Sequence, residues 1–122
     1  MHQHEKINYI ELPCQDIERT KAFFSAVFGW VFTDYGPDYT AFSAAEAGID
    51  GGFTLAPACR QSIQGCALVV FYSRDLATTQ SSIQHAGGCI IQETFSFPGG
   101  QRFHFSDPNG NEYAVWSDAS AG

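Results

Sequence analysis

Arg102 and His104 stand one residue apart in RFHFS, so on a strand their side chains leave the same face as neighbours. Glu11, in INYIELPC, falls on the equivalent face of an earlier strand. A carboxyl and an imidazole in such a setting could serve as acid and base for proton transfer beside a carbonyl, which makes Glu11 and His104 the catalytic candidates. The same groups with Arg102 could instead satisfy one another as a structural hydrogen-bonded network. Around them, by a period of two, fall Tyr9, Leu68, Val70, Tyr72, Arg102, Ala114 and Trp116 as ligand-contact candidates. That set is apolar and aromatic wall with few polar groups, the composition of a small-molecule site. Trp116 and Tyr72 read as wall, or as platforms for stacking on a planar ligand.

The elements that must position these residues repeat. Ile7 to Cys14 alternates as a strand. Asp16 is a good N-cap, Glu18 suits the first helical turn, and Ile17, Phe24, Val27 and Phe28 recur at helical spacing before Gly29 closes the helix. Short strands are expected around Val31–Tyr35, Tyr39–Ala44 and Gly52–Leu55. The pattern then restarts. Ala67–Ser73 is a strand, Asp75 caps a helix that ends at Gly87-Gly88, and strands follow around Cys89–Thr94, Gln101–Ser106 and Glu112–Trp116. Asp16-Ile17 and Asp75-Leu76 are offset by the same interval as Gly29 and Gly88, and YTAFS matches RFHFS. The expected fold is α+β, one domain over residues 1–122 built from two βαβββ modules, 7–55 and 66–117, with a linker at 56–65. Asp107-Pro108-Asn109-Gly110 is a turn that sets hairpin geometry and is no site candidate. Ser106 lacks any nucleophile context.

Composition narrows the function. The 122 residues suffice for one domain, and 44% hydrophobic residues with 11 Phe, 5 Tyr and 2 Trp can fill its core. A net charge of −7 with only six Lys and Arg argues against nucleic acid. No apolar run is long enough to span a bilayer, and MHQHEKINYI lacks the apolar core of a signal peptide, so a cytoplasmic protein without membrane partners is expected. Cys14, Cys59, Cys66 and Cys89 show no metal or redox spacing and read as reduced, partly buried small residues. His2 and His4 sit at an end expected to fray.

With IELPCQDIERTKAFFSAVFGW, FHFSDPNGNEYAVW and the internal repeat in view, the chain resembles the vicinal oxygen chelate superfamily. That superfamily includes glyoxalase I, fosfomycin- and bleomycin-resistance proteins and extradiol dioxygenases. The closer resemblance is to small glyoxalase-like proteins with an FxDPxGN ending. It implies curled four-stranded sheets around a cavity, helices outside, and frequent homodimers. It also implies pocket-facing roles for the positions of Arg102 and His104, which are ligand contacts in the fosfomycin-binding members.

The resemblance further implies where a metal would be held, and those positions carry Tyr9, Leu68, Ala114 and the neighbourhood of Gly52. A divalent ion needs converging imidazole or carboxylate donors, which these residues do not supply. No cofactor and no metal ligand are therefore expected, and metal-dependent glyoxalase or ring-cleavage chemistry is disfavoured. Displaced ligands drawn from Glu11, His104 and Glu112, which share the pocket face, are the alternative. The expected function is small-molecule binding by a homodimer with a pocket gathered from both halves. The alternative is a lyase or isomerase using Glu11 and His104.

Overall fold

Two aspartates open the two long helices by accepting from a backbone amide three residues on. Asp16 accepts from Arg19 N at 3.0 Å, and Asp75 accepts from Thr78 N at 3.2 Å. The computed structural model describes residues 3–56 and 66–118. The chain divides into two compact units, Met1–Cys59 and Arg60–Gly122. Nearly all of the expected linker, 57–65, lies outside the described residues, as do Cys59 and His2.

The first unit runs β1 (Tyr9–Cys14), α1 (Ile17–Phe28), β2 (Phe32–Asp34), β3 (Tyr39–Phe42), a short α2 (Ala44–Ala47) and β4 (Asp50–Leu55). Its sheet has the order β1-β4-β3-β2, with β1 parallel to β4 and the other pairs antiparallel. Gly29, at a φ of 71°, takes the left-handed conformation that closes α1. The core of this unit is aromatic. Phe24 on α1 lies 4.8 Å from Trp30 and 5.2 Å from Phe53 between ring centroids, and Trp30 lies 4.4 Å from Phe42.

The second unit runs β5 (Val69–Tyr72), α3 (Leu76–His85), β6 (Cys89–Phe97), β7 (Gly100–Ser106) and β8 (Glu112–Asp118). Its sheet has the order β5-β8-β7-β6 and repeats the pairing pattern of the first, with β5 parallel to β8. Phe103, Phe105, Tyr113 and Val115 are buried with Ile83 of α3, so they mark the helix-covered face. Arg102, His104, Ala114 and Trp116 alternate onto the other.

The fold is thus α+β, with two open four-stranded mixed sheets in a repeated βαβββ pattern. Three differences from the expected elements have local causes. Residues Ala44–Ala47 form a helical turn, opened by Ser43 accepting from Ala45 N at 3.1 Å and closed by Gly48. Strand β6 continues to Phe97 because register shifts between Ile90 and Gln92 and between Gln92 and Phe95 reset its alternation. Cys89 is exposed on that edge strand rather than partly buried, whereas Cys14 is buried.

Candidate functional site

On the face opposite α3, cross-strand pairing assembles two rows of side chains. Val70, Ala114, His104 and Gln92 form one, and Tyr72, Trp116, Arg102 and Phe95 form the next. His104 Nδ1 lies 2.7 Å from Glu112 Oε2, with the two side chains only 12% and 10% exposed. Glu112 sits opposite Ser106, so it reaches His104 as a diagonal neighbour across the hairpin. An ionised carboxylate can only accept, so Nδ1–H donates and the neutral ring presents its lone pair at Nε2. That Nε2 is buried and has no hydrogen-bond partner among the described residues.

Arg102 is set among rings. Its Cζ lies 5.4 Å from the Phe95 centroid and 5.9 Å from that of Phe97, a cation–π arrangement. Its Nε is buried without a partner, and among the described residues no carboxylate pairs with it. Phe95 also lies 6.0 Å from the His104 ring, so one phenyl group borders both polar side chains. Trp116 and Tyr72 meet edge-to-face at 5.1 Å, and the Tyr72 hydroxyl donates to Asp118. Val70 and Tyr72 are exposed on this face, whereas Ala114 is fully buried beneath its neighbours. Leu68 precedes β5 and is half-buried.

The remaining two site candidates lie in the first unit. Tyr9 and Tyr39 share a hydrogen bond between their hydroxyls. Burial pushes the Tyr39 phenol well above its ordinary pKa, and hydrogen bonds with Tyr9 and Glu11 push it further in the same direction. Glu11 itself is exposed. Within the second unit, the carboxylate that contacts His104 is Glu112.

The positions that the resemblance maps onto metal ligands do not fit a divalent cation. Ala114 offers a methyl group, and Leu68 is aliphatic. Gly52 is buried under the Tyr39 ring, so a Cβ there would collide with the phenol and approach Thr40 O to 2.9 Å. Among the described residues no three His, Cys, Asp or Glu side chains gather.

Two depressions lie elsewhere. One of about 230 Å³ is bordered by Asp75, Leu76, Gln80, Gln101, Ser117 and Asp118, and one of about 360 Å³ lies beside Lys6, Asn8 and Asp50. Neither is lined by Arg102 or His104.

A family model for the Glyoxalase/Bleomycin resistance protein/Dioxygenase superfamily matches residues 6–115. The chain belongs to that superfamily. Solved structures agree with the glyoxalase-like fold. A glyoxalase-related enzyme from Fulvimarina pelagi superposes with a TM-score of 0.77 at 20% identity, over 93% of this chain and 88% of that one. A genomically encoded fosfomycin resistance protein from Listeria monocytogenes, solved with Mn(II) and a dihydroxypropylphosphonic acid, gives 0.77 at 15% identity, over 96% and 91%. An antibiotic binding protein from a Streptomyces species gives 0.69 at 18% identity, over 96% and 99%. At such identities these glyoxalase-like neighbours establish the fold alone. No curated protein matches the chain. Among the described residues, no helix is long and apolar enough to cross a membrane.

Proposed function

We propose that this glyoxalase-like chain binds a small organic molecule on the β5-β8-β7-β6 face around Arg102 and His104, without a divalent metal. The observation that carries the reading is the pair of buried, unpartnered nitrogens on one strand face, Arg102 Nε and His104 Nε2, set among Phe95, Phe97, Trp116 and Tyr72. A buried polar atom left unsatisfied costs about 1–3 kcal/mol, a cost that a ligand atom would remove. The aromatic rings supply apolar area, as small-molecule sites require. The Streptomyces neighbour is an antibiotic binding protein, which supports the reading at the level of fold.

A cytoplasmic homodimer is part of the same proposal. Purified, extensively dialysed protein is expected to contain almost no divalent metal by elemental analysis and to elute well above the 13.3 kDa of one chain. About one ion per chain, lost in His104→Ala, would overturn the metal-free reading; elution as a monomer at micromolar concentration would remove the dimer.

The His104–Glu112 contact favours a second reading as a lyase or isomerase. A carboxylate that fixes the imidazole tautomer leaves Nε2 as a base. In that case His104→Ala lowers turnover about a hundredfold or more on any substrate found. Near-wild-type turnover in the variant would exclude His104 as the base.

A further inference from the structure

We infer that the ligand class of this face is an aromatic 2-hydroxy acid, with its carboxylate on Arg102 and its hydroxyl donating to His104 Nε2. The inference rests on the small-molecule reading above and deepens it. Two unlike groups are offered side by side. Arg102 is a permanent cation with donors only, and no acid among the described residues neutralises it. Its unpaired state is notable in a chain of net charge −7. His104, because Glu112 takes its Nδ1–H, offers an acceptor at Nε2 while neutral. The complementary ligand therefore carries an anion and, beside it, a hydroxyl hydrogen.

Spacing sets the size of that unit. Same-face neighbours on a strand stand about 7 Å apart. That is the spacing of the backbone positions; from them the two side chains reach one compact unit, a carboxylate and a hydroxyl on adjacent carbons. A simple alcohol meets only the imidazole, and a simple acid only the guanidinium. The aromatic body follows from Trp116 beside Arg102, with Tyr72 next along the same row, and from the phenyl rings of Phe95 and Phe97.

The test compares mandelate with phenylacetate, which lacks the hydroxyl, and with 2-phenylethanol, which lacks the carboxylate, by calorimetric titration of the wild-type protein. Mandelate is expected to bind about tenfold or more tightly than either, because a site built around polar partners rejects analogues that leave them unpaired. Arg102→Gln should erase the advantage of mandelate over 2-phenylethanol. His104→Phe should reduce mandelate to the level of phenylacetate. Melting temperatures of both variants report folding, and the wild-type comparison stands without them. If 2-phenylethanol binds as well as mandelate, the hydroxy-acid class is wrong and the small-molecule site survives. If none of the three binds and a broad thermal-shift screen is also silent, both fall.

Discussion

Asp107→Ala is expected to destabilise the protein by about 3–5 kcal/mol, a large share of the 5–15 kcal/mol typical of a domain. Asp107 is only 3% exposed and acts as the hub of the β7–β8 turn. One carboxylate oxygen accepts from Asn109 N at 2.9 Å and Asn111 N at 3.1 Å, and the other accepts from the Tyr113 hydroxyl at 2.7 Å. Alanine would remove this acceptor from a buried amide and a buried phenol at once. Burial nevertheless raises the Asp107 pKa above its ordinary value, because desolvation outweighs these bonds. The folded state therefore holds a proton more tightly than the unfolded one. The contribution of Asp107 to stability is fullest below the ordinary carboxyl pKa of 3.8 and declines as pH rises through the elevated folded value. Asp107→Asn should flatten this slope while keeping an acceptor for the two amides. Urea denaturation across a pH series reads both effects; an alanine variant within 1 kcal/mol or so of wild type would refute the hub role.

Phe24→Ala is expected to cost about 3–5 kcal/mol for a different reason, the opening of a cavity. Phe24 is fully buried among aromatic rings, with centroids at 5.0 Å for Phe23, 5.9 Å for Phe28, 4.8 Å for Trp30 and 5.2 Å for Phe53. Trp30 and Phe53 are held by the turn after α1 and by β4, so collapse to fill the space would require several elements to move together. Phe24→Leu keeps most of the volume and should lose a fraction of that stability. Chemical denaturation followed by tryptophan fluorescence suits this site, since Trp30 stacks on the ring being removed. A midpoint unchanged in Phe24→Ala would mean that the aromatic cluster is not the core of its unit.

What could be read from the sequence was the chemistry that acts over a few residues. The caps at Asp16 and Asp75, the left-handed Gly29 and the DPNG turn depend on side chains and backbone angles close in the chain. Period two placed Arg102, His104, Ala114 and Trp116 on one face. The helix Ala44–Ala47 carries a local signal too, Ser43 followed three residues later by Glu46 and then by Gly48. Glu112 as the partner of His104 was also within reach, since pairing outward from the turn sets Ser106 against Glu112 and leaves Glu112 diagonal to His104. The aromatic enclosure of Arg102 was not legible. It depends on two register shifts in β6 that bring Phe95 opposite Arg102, and nothing local in CIIQETFSF fixes where a strand will bulge. The Tyr9–Tyr39 contact needed long-range pairing too, because it forms over Gly52 where β1, β4 and β3 run side by side.

In both units the first strand made is completed by the last, with Tyr9 pairing to Asp50 and Val69 to Tyr113. Strands β4 and β8 are interior strands of their sheets, while β1 and β5 are edges. Within its unit β5 therefore has no ladder partner until Glu112–Asp118 has been made, after the β6 and β7 segments. The order of synthesis and the order of strands in space run against each other, which lengthens the loops that must close before the sheet is stable.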